Sequence, residues 1–211
     1  IIGYIIKYVS KSCKNSYKVM KKIKKQITNN LIMVRPEHFD FNYETAENNH
    51  FQKKEKKLSK EKILRNAKNE FDNLYNKLIK NKINVNVFND RKKVRTTDSV
   101  FPNNWISLHQ DGSVYVYPMF SENRRKERRF DIIEKLKKQF EIKRVIDLSY
   151  FEKESVFLEG TGSMILDRQN KICYAALSDR TNLIALNDFC NRALYNPCLL
   201  YTSDAADEWL R

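Results

Sequence analysis

The sequence feature that most constrains the fold is an order of elements that occurs twice. Asp111 and Gly112, between the β-rich segments 101–108 and 113–117, predict a β-hairpin. Residues 167–171 separate the segments 163–166 and 172–177 in the same way. Each hairpin leads into a helical pattern, and the two tips lie about 58 residues apart. Repeats of this length are typical of radial or solenoidal folds, although a three-layer α+β sandwich has the same order.

Hydrophobic periodicity places the remaining elements. Strands are predicted at residues 31–34, around Val85 and Val87, and at 144–148. Ser59 is a candidate N-cap for a first helix. Three helices are predicted from their apolar faces: Leu64, Ala67, Phe71, Leu74, Tyr75 and Leu78; Phe130, Ile133, Leu136 and Phe140; and Leu183, Leu186, Phe189, Cys190, Ala193 and Leu194. The chain therefore mixes helices and strands, and both the repeat fold and the α+β sandwich stay open at this point.

The positive charge of the chain is concentrated at one end. The net charge is +14, but Ile1–Asn30 holds eight Lys and no acid, so the rest carries only +6. No nucleic-acid-binding motif accompanies this charge, and nucleic-acid binding remains a distant alternative. No apolar run approaches the roughly 20 residues that span a bilayer, and no signal peptide is recognisable. We therefore expect a cytoplasmic protein with no membrane partner.

Both ends of the chain differ from the segment between them. The first residue is not Met, and Met20 is the predicted start of translation. The string CLLYTSDAADE at Cys198–Glu208 resembles a translated sequencing adapter, although a genuine short tail is the alternative. We expect three parts: a basic extension at 1–26 outside the fold, a partial domain at 27–197, and a tail at 198–211.

The cysteines and histidines do not form a metal motif. Four Cys (13, 173, 190 and 198) lack C-x-x-C spacing, and three His (38, 50 and 109) do not cluster with them. No metal or other cofactor is therefore predicted. Cys173 and Cys190 fall on apolar faces, which is typical of small buried side chains.

Several polar groups fall at turns, where sites are often built. Asp98 and Asn104 flank a β-rich segment, and Glu159 precedes two glycines that let the backbone approach a ligand. Arg124 and Arg180 lie near hairpin ends and can bind carboxylates with two N–H groups. Each has a plainer interpretation. Asp98 and the asparagines suit a turn, Glu159 alone is a weak signal, and Arg-rich runs are usually solvated.

Five segments together carry a family resemblance. They are MVRPEHFDFNYETAENNHFQ at 33–52, TDSVFPNNWISLH at 97–109, YPMFSENRRKERR at 117–129, FLEGTGSMILDR at 157–168 and SDRT at 178–181. In this order they resemble the citrulline-utilisation hydrolases related to arginine deiminase, in the amidinotransferase (guanidine-modifying, pentein) superfamily. The resemblance implies a five-bladed α/β propeller of ββαβ units, here an incomplete one because the likeness covers only about 27–197.

The resemblance also implies roles for single residues. Glu159 matches the catalytic acid that holds the guanidine or ureido nitrogens. Asp98, Arg124 and Arg180 match positions that hold the amino-acid head group, and Asn104 matches a guanidinium-binding Asp of the deiminases. The five side chains are therefore expected to converge on one cavity, with a small amino acid as the binding partner.

Two departures from the family pattern affect the expected activity. Asn104 and Gly162 both replace Asp of the deiminases, and an Asn amide can donate to a carbonyl, so the sequence favours a neutral ureido substrate such as citrulline. The Cys nucleophile and the His motif of the family are absent. We therefore expect an N-terminal fragment of a C–N hydrolase that is itself inactive.

Alternatives to this interpretation remain open. Within the enzymes they are arginine deiminase, dimethylarginine hydrolase and amidinotransferase. Outside the enzymes, the alternative is a binding-only pentein such as the ribosome-binding initiation factors of similar shape. Glu159 together with Arg124 and Arg180 favours an enzyme, because a binding-only protein has no need for this set.

The basic extension makes the first testable prediction. Deleting residues 1–19 should leave the melting temperature unchanged within error. Residues 1–25 hold eight Lys and no acid, so this segment has no amphipathic face to bury. Thermal unfolding of the two proteins checks this. A fall of several degrees would show that the segment is structural.

Overall fold

A computed structural model describes residues 26–46 and 58–200 of the chain. The predicted extension up to residue 25 and residues 201–211 lie outside this part. Eight strands are described: β1 Asn30–Arg35, β2 Asn84–Asn89, β3 Ile106–Leu108, β4 Ser113–Val116, β5 Arg144–Asp147, β6 Met164–Asp167, β7 Ile172–Ala175 and β8 Asn196–Leu199. Five α-helices accompany them: α1 Lys60–Lys80, α2 Glu122–Arg125, α3 Phe130–Lys137, α4 Gly160–Ser163 and α5 Leu183–Ala193.

Helices α1 and α5 begin at side-chain caps. The Ser59 hydroxyl accepts a hydrogen bond from the Lys62 N–H at 3.3 Å, which confirms the predicted cap. Asn182 caps α5 in the same way, since its Oδ1 accepts from the Ile184 N–H at 2.8 Å. Local sequence therefore determines where both helices start.

The strands form three sheets. Strands β1 and β2 are parallel. Strands β3, β4 and β5 form a three-stranded sheet in which β3–β4 is antiparallel and β4–β5 is parallel. Strands β6, β7 and β8 repeat that topology, with one antiparallel and one parallel pair. Two complete ββαβ units are thus present among the described residues.

The two units also share a register. In the second sheet Ser107, Tyr115 and Ile146 lie side by side, and in the third Ile165, Tyr174 and Cys198 do so. Each row therefore centres on a Tyr of the middle strand. This equivalence supports the repeat that the sequence predicted, while closure into a five-bladed propeller remains a prediction.

The helices share core clusters with neighbouring sheets. The apolar face of α3, with Ile132 and Leu136, joins one cluster with Val34 of β1 and Val114 of β4. Helix α5 joins a second cluster that includes residues of both three-stranded sheets. Its Phe189 ring lies 5.0 Å from that of Tyr115, edge to face. The packing of helices between sheets holds successive units together.

The row centred on Tyr174 in the third sheet is more exposed than the row centred on Tyr115 in the second sheet. Ile165 is 69% exposed, whereas Ser107, at the equivalent place in the second sheet, is 6% exposed. No helix of the described segments covers Ile165 as α5 covers Tyr115.

The chain remains in regular structure beyond the predicted boundary at Pro197. Strand β8 includes Cys198 and Leu199, which pair with Tyr174 and Ala175. The Leu200 N–H also donates to the Ala175 carbonyl at 2.8 Å. A boundary at 197 therefore cuts through a strand. At the other end, Gln26 contributes two hydrogen bonds to the β6 region, through the Leu166 carbonyl and the Arg168 N–H.

Two local predictions were wrong. The segment 101–108 was predicted as one strand, but Pro102–Asn104 forms a 3₁₀ turn and only Ile106–Leu108 is a strand. Pro102 lacks the N–H that a strand needs, and the asparagines favour turns. Four side chains were placed on the apolar faces of helices but are each at least 41% exposed: Leu74, Phe130, Leu183 and Leu194. Phe130 is the first residue of α3, and Leu194 lies just beyond the end of α5.

Other predictions about burial are confirmed. Cys173 and Cys190 are both buried.

Within residues 26–46 and 58–200, no helix has the length and apolar character needed to cross a membrane.

Phe189 and Ile165 provide a matched test of this packing. Phe189→Ala should reduce the free energy of unfolding by about 3–5 kcal/mol, because it leaves a cavity among aromatic rings. Ile165→Ala should change it by less than about 1 kcal/mol, because Ile165 is mostly exposed. Urea unfolding measures both. Equal losses would contradict the different burial of the two faces.

Candidate functional site

The structure brings the five predicted residues together. Glu159 lies at the centre, with its side chain 1% exposed. Its Oε2 lies 3.4 Å from Asn104 Nδ2 and 3.7 Å from the nearest nitrogens of both Arg124 and Arg180. The Arg124 Nε lies 3.7 Å from Asp98 Oδ2. All five therefore belong to one continuous cluster, although they come from four separate segments of the chain.

Backbone contacts explain how these segments meet. Leu158 forms an isolated bridge with Thr181, so the chain before Glu159 runs beside the chain after Arg180. The Ser163 hydroxyl accepts from the Glu159 N–H at 2.9 Å and donates to the Arg180 carbonyl at 2.6 Å. One hydroxyl thus ties the two loops together.

Glycines allow the Asn103–Asn104 turn to approach Glu159. Gly160 has φ of +40°, and a Cβ there would lie 2.3 Å from the Asn103 carbonyl oxygen. A Cβ at Gly162 would lie 2.4 Å from Asn104 Nδ2. The Asn104 amide therefore occupies space that any side chain at 162 needs. The two departures from the deiminase pattern, Asn104 and Gly162, are thus one local arrangement.

Hydrogen bonding sets the orientation of the Asn104 amide. A carboxylate only accepts hydrogen bonds, so the NH₂ group of the Asn104 amide faces Glu159. The Oδ1 atom is on the other branch of the same amide. The ureido preference was predicted from Asn donors facing a substrate carbonyl. In the structure one of these donors is directed to Glu159, which weakens that argument.

A third acid, Glu127, lies in the cluster and was missed by the sequence analysis. Glu127 is 3% exposed and accepts from Arg124 Nε and Nη2 at 3.1 and 3.0 Å. It follows α2 within the run Arg124–Arg129, which on spacing alone suggested a solvated surface. Arg124 itself is 4% exposed, so that interpretation is wrong for both residues. The i,i+3 spacing of Arg124 and Glu127 was the available signal.

Electrostatics within this pair reflect burial. Burial raises the pKa of Glu127 to about 7, although Arg124 acts in the opposite direction. Burial lowers the pKa of Arg124, but Glu127, Glu159 and Asp98 together raise it above its ordinary value. Arg124 therefore stays charged, while Glu127 is held near its titration point at neutral pH.

Neutral side chains complete the wall around Asp98. The Asn42 Nδ2 donates to Asp98 Oδ2 at 2.5 Å, and its Oδ1 accepts from Asn123 Nδ2 at 2.6 Å. Asn42 is 1% exposed. Both asparagines fall in the segments that carry the family resemblance, but neither was singled out from the sequence.

Glu152 supports the other side of Glu159. Its carboxylate accepts from the Met119 N–H at 2.7 Å and pairs with Arg128. This fixes the turn in which the Phe120 N–H donates to Glu159 Oε1 at 3.1 Å. A separate open groove of about 590 Å³ includes Glu152 but none of the five predicted residues; it is lined by Arg125, Asp147, Ser149, Tyr150, Glu152 and Lys153.

No group of three or more His, Cys, Asp or Glu in the described segments is arranged to hold a metal ion. The three cysteines described there are Cys173 and Cys190, both in the core, and Cys198 in β8. His109 is also remote from the cluster of acids. It packs against Tyr115 and Tyr195, and burial lowers its pKa to about 3.

Comparisons with solved structures agree with this fold. The chain is similar to the N-terminal domain of ArgZ, an arginine dihydrolase of cyanobacteria whose structure contains its substrate. The TM-score is 0.59 at 20% identity, over 80% of this chain and 56% of that one. It is also similar to a dimethylarginine dimethylaminohydrolase variant joined to S-methyl-L-thiocitrulline, with a TM-score of 0.56 at 16% identity, over 82% and 61% of the two chains. Unliganded AgrE gives a TM-score of 0.53 at 21% identity, over 75% and 21%.

The family match over most of the chain, together with the similar fold, places the chain in the pentein superfamily, among relatives of guanidino hydrolases. Residues 35–209 match the family described as N,N dimethylarginine dimethylhydrolase, eukaryotic, and the chain belongs to that family. A comparison with curated protein sequences finds no match. The chain spans little more than half the length of the ArgZ domain. Its relatives are hydrolases acting on C–N bonds.

Glu127 makes the pH dependence of stability testable. Its pKa is about 7 in the folded chain and near 4.5 in an unfolded one, so the folded state holds a proton that the unfolded state releases. The stability that this contributes is complete below about pH 4.5 and is lost as the pH rises through 7. Relative to Glu127→Gln, the wild type should therefore lose on the order of 3 kcal/mol between pH 4.5 and 8.

The comparison with the variant is necessary because His109 acts in the opposite direction. With its pKa lowered to about 3, His109 costs stability as the pH falls below about 6.5. This contribution is common to both proteins and cancels in the difference. Urea unfolding of both proteins between pH 4.5 and 8 measures the difference in their free energies of unfolding. A difference that does not change with pH would contradict the raised pKa of Glu127.

Proposed function

We propose that this chain carries the acid and the head-group residues of a C–N hydrolase that acts on a guanidino amino acid such as arginine or a methylated arginine. Glu159 is the observation that carries the proposal, because its carboxylate is buried and surrounded by donors rather than used in a helix cap or a surface ion pair. Buried acids at the centre of a polar cluster are typical of functional sites.

The Glu159 carboxylate is suited to hold guanidino nitrogens. Its Oε1 accepts from the Phe120 N–H at 3.1 Å, whereas Oε2 accepts from Asn104 Nδ2 at 3.4 Å and lies 3.7 Å from both arginines. Such long contacts leave Oε2 able to accept from a bound N–H group. Asn104 Oδ1 offers a further acceptor beside it, which suits a guanidinium, a group that only donates. We therefore favour a guanidino substrate over the ureido substrate that the sequence suggested.

Arg180 is our candidate for the substrate α-carboxylate. Its side chain is 21% exposed, against 5% for Arg124, so it can be reached from solvent. Its Nη2 lies 3.5 Å from the Thr45 carbonyl, which places it beside the segment that carries Asn42. Asp98, held by Asn42, would accept from the substrate ammonium group.

The reaction we propose needs a nucleophile and a proton carrier. In the family that the chain resembles, a Cys thiolate attacks the guanidino carbon and a His protonates the departing amine. Water then releases the ureido product from the Cys. No residue of this chain is assigned to either role, so the proposal for these 211 residues is substrate binding.

The runner-up is a binding-only pentein. Nothing in the cluster favours it, because a surface for a macromolecule has no need to bury Arg124, Glu127 and Glu159 together. Citrulline as substrate stays open as a second specificity, and the same experiment separates it.

Calorimetric titration of L-arginine and L-citrulline into the chain tests the proposal. We expect arginine to bind, and Glu159→Gln to weaken its binding at least tenfold, because an amide replaces the charge that faces the guanidinium. Glu122→Gln is the matched control, since Glu122 lies at the exposed start of α2. Binding that survives in Glu159→Gln, or no binding by the wild type, would contradict the proposed function.

A further inference from the structure

Arg124 is surrounded by acids on every side of its guanidinium. Nε and Nη2 pair with Glu127 at 3.1 and 3.0 Å, Nη1 faces Glu159 Oε2 at 3.7 Å, and Nε also lies 3.7 Å from Asp98 Oδ2. The resemblance assigned Arg124 to the substrate α-carboxylate. A second carboxylate would have to approach a guanidinium that three carboxylates already share, so this role does not suit it.

The Glu127 contact is the one that sets the orientation of Arg124. Of these three contacts, it alone has two nitrogens within hydrogen-bond distance, and such paired bonds fix the plane of a guanidinium. With that plane fixed, the remaining nitrogen faces Glu159. Both side chains are at most 5% exposed, so solvent does not replace the contact.

We propose that Glu127 is a positioning residue that locks Arg124 between Asp98 and Glu159, and that its charge sets the preference of the site for a cationic over a neutral amino acid. This inference rests on the proposed function. It adds a residue to the site and a physical basis for choosing between two substrates.

The charge count gives the direction. The cluster holds three carboxylates, Asp98, Glu127 and Glu159, and two guanidinium groups, Arg124 and Arg180. With Glu127 ionised, one negative charge is in excess, and a ligand with one net positive charge neutralises it. With Glu127 protonated, the cluster is balanced and gains nothing from a charged ligand.

The groups facing Glu127 are consistent with a change of charge near neutral pH. They are Arg124 from α2, Asp98 from the loop before the 3₁₀ turn, and Glu159 from the loop before α4. Arg124 favours the ionised form, whereas burial and the other two acids favour the neutral form, and the pKa of Glu127 is about 7 as a result.

L-arginine and L-citrulline separate charge from fit. They share the same α-amino-acid group and differ by one net charge between pH 6 and 8. The ratio of their dissociation constants at each pH therefore reports the charge of the site, because damage to the shared pocket changes both affinities together. Calorimetric titration of both ligands at pH 6, 7 and 8 gives this ratio.

In the wild type, the preference for arginine over citrulline should increase on the order of tenfold from pH 6 to pH 8. In Glu127→Gln the ratio should stay at the pH 6 value of the wild type throughout. Glu134→Gln makes the same chemical change in an exposed pair with Lys137, three residues away on α3, and should keep the slope of the wild type.

The possible failures are distinct. A Glu127→Gln protein that keeps the slope, or that loses both affinities equally with an unchanged ratio and slope, would overturn the role of Glu127 and leave the proposed function intact. A wild type that binds neither ligand would overturn the proposed function, and the inference about Glu127 with it.

Discussion

The site depends on one buried carboxylate. A charge taken out of water costs several kcal/mol unless other groups replace the lost hydration. For Glu159 these groups come from four places in the chain: the Asn104 amide, the Phe120 N–H and the guanidinium groups of Arg124 and Arg180. A fold that failed to bring these segments together would leave the carboxylate unpaired. The arrangement of loops around Glu159 is therefore a requirement of burying it as well as of binding a ligand.

The repeated topology explains how distant segments reach that point. The second and third sheets have the same strand order and the same register, and helix α5 shares a core cluster with both. Two of the key segments, Asn103–Asn104 and Glu159–Gly162, precede the first strands of the two units, β3 and β6. Equivalent positions of adjacent repeats lie near one another when the units stack, so residues more than fifty positions apart meet at one cluster.

The buried Arg124 and Glu127 pair shows that an ion pair inside a protein is weak evidence for stability by itself. Desolvation costs both partners, and here it leaves Glu127 with a raised pKa despite two hydrogen bonds from Arg124. Such an arrangement is consistent with a site that holds charge for a ligand. The exposed pair of Lys137 and Glu134 has a similar distance, 2.7 Å, but water surrounds it, so forming it does not take the two charges out of water.

Local sequence determined most of the elements. Apolar periodicity indicated α1 and α5, Ser59 marked the start of α1, Asp-Gly specified the β3–β4 turn, and the spacing of the hairpins indicated the repeat. The residues of the cluster were named from the family resemblance, since an acid beside glycines or an Arg in a charged run is a weak signal alone. These are properties of neighbouring residues, which a sequence carries directly.

Only the tertiary structure decided the environment of each charged group. Nothing in the run Arg124–Arg129 distinguishes the buried Glu127 from the surface charges around it, because burial depends on what packs against it from Asp98 and Glu159. The same holds for Asn104, whose amide orientation follows from the carboxylate that faces it. The groups that set the charge state and hydrogen bonds of these residues lie far away in the sequence. The sequence therefore supplied the residue types, and only the fold determined how they interact.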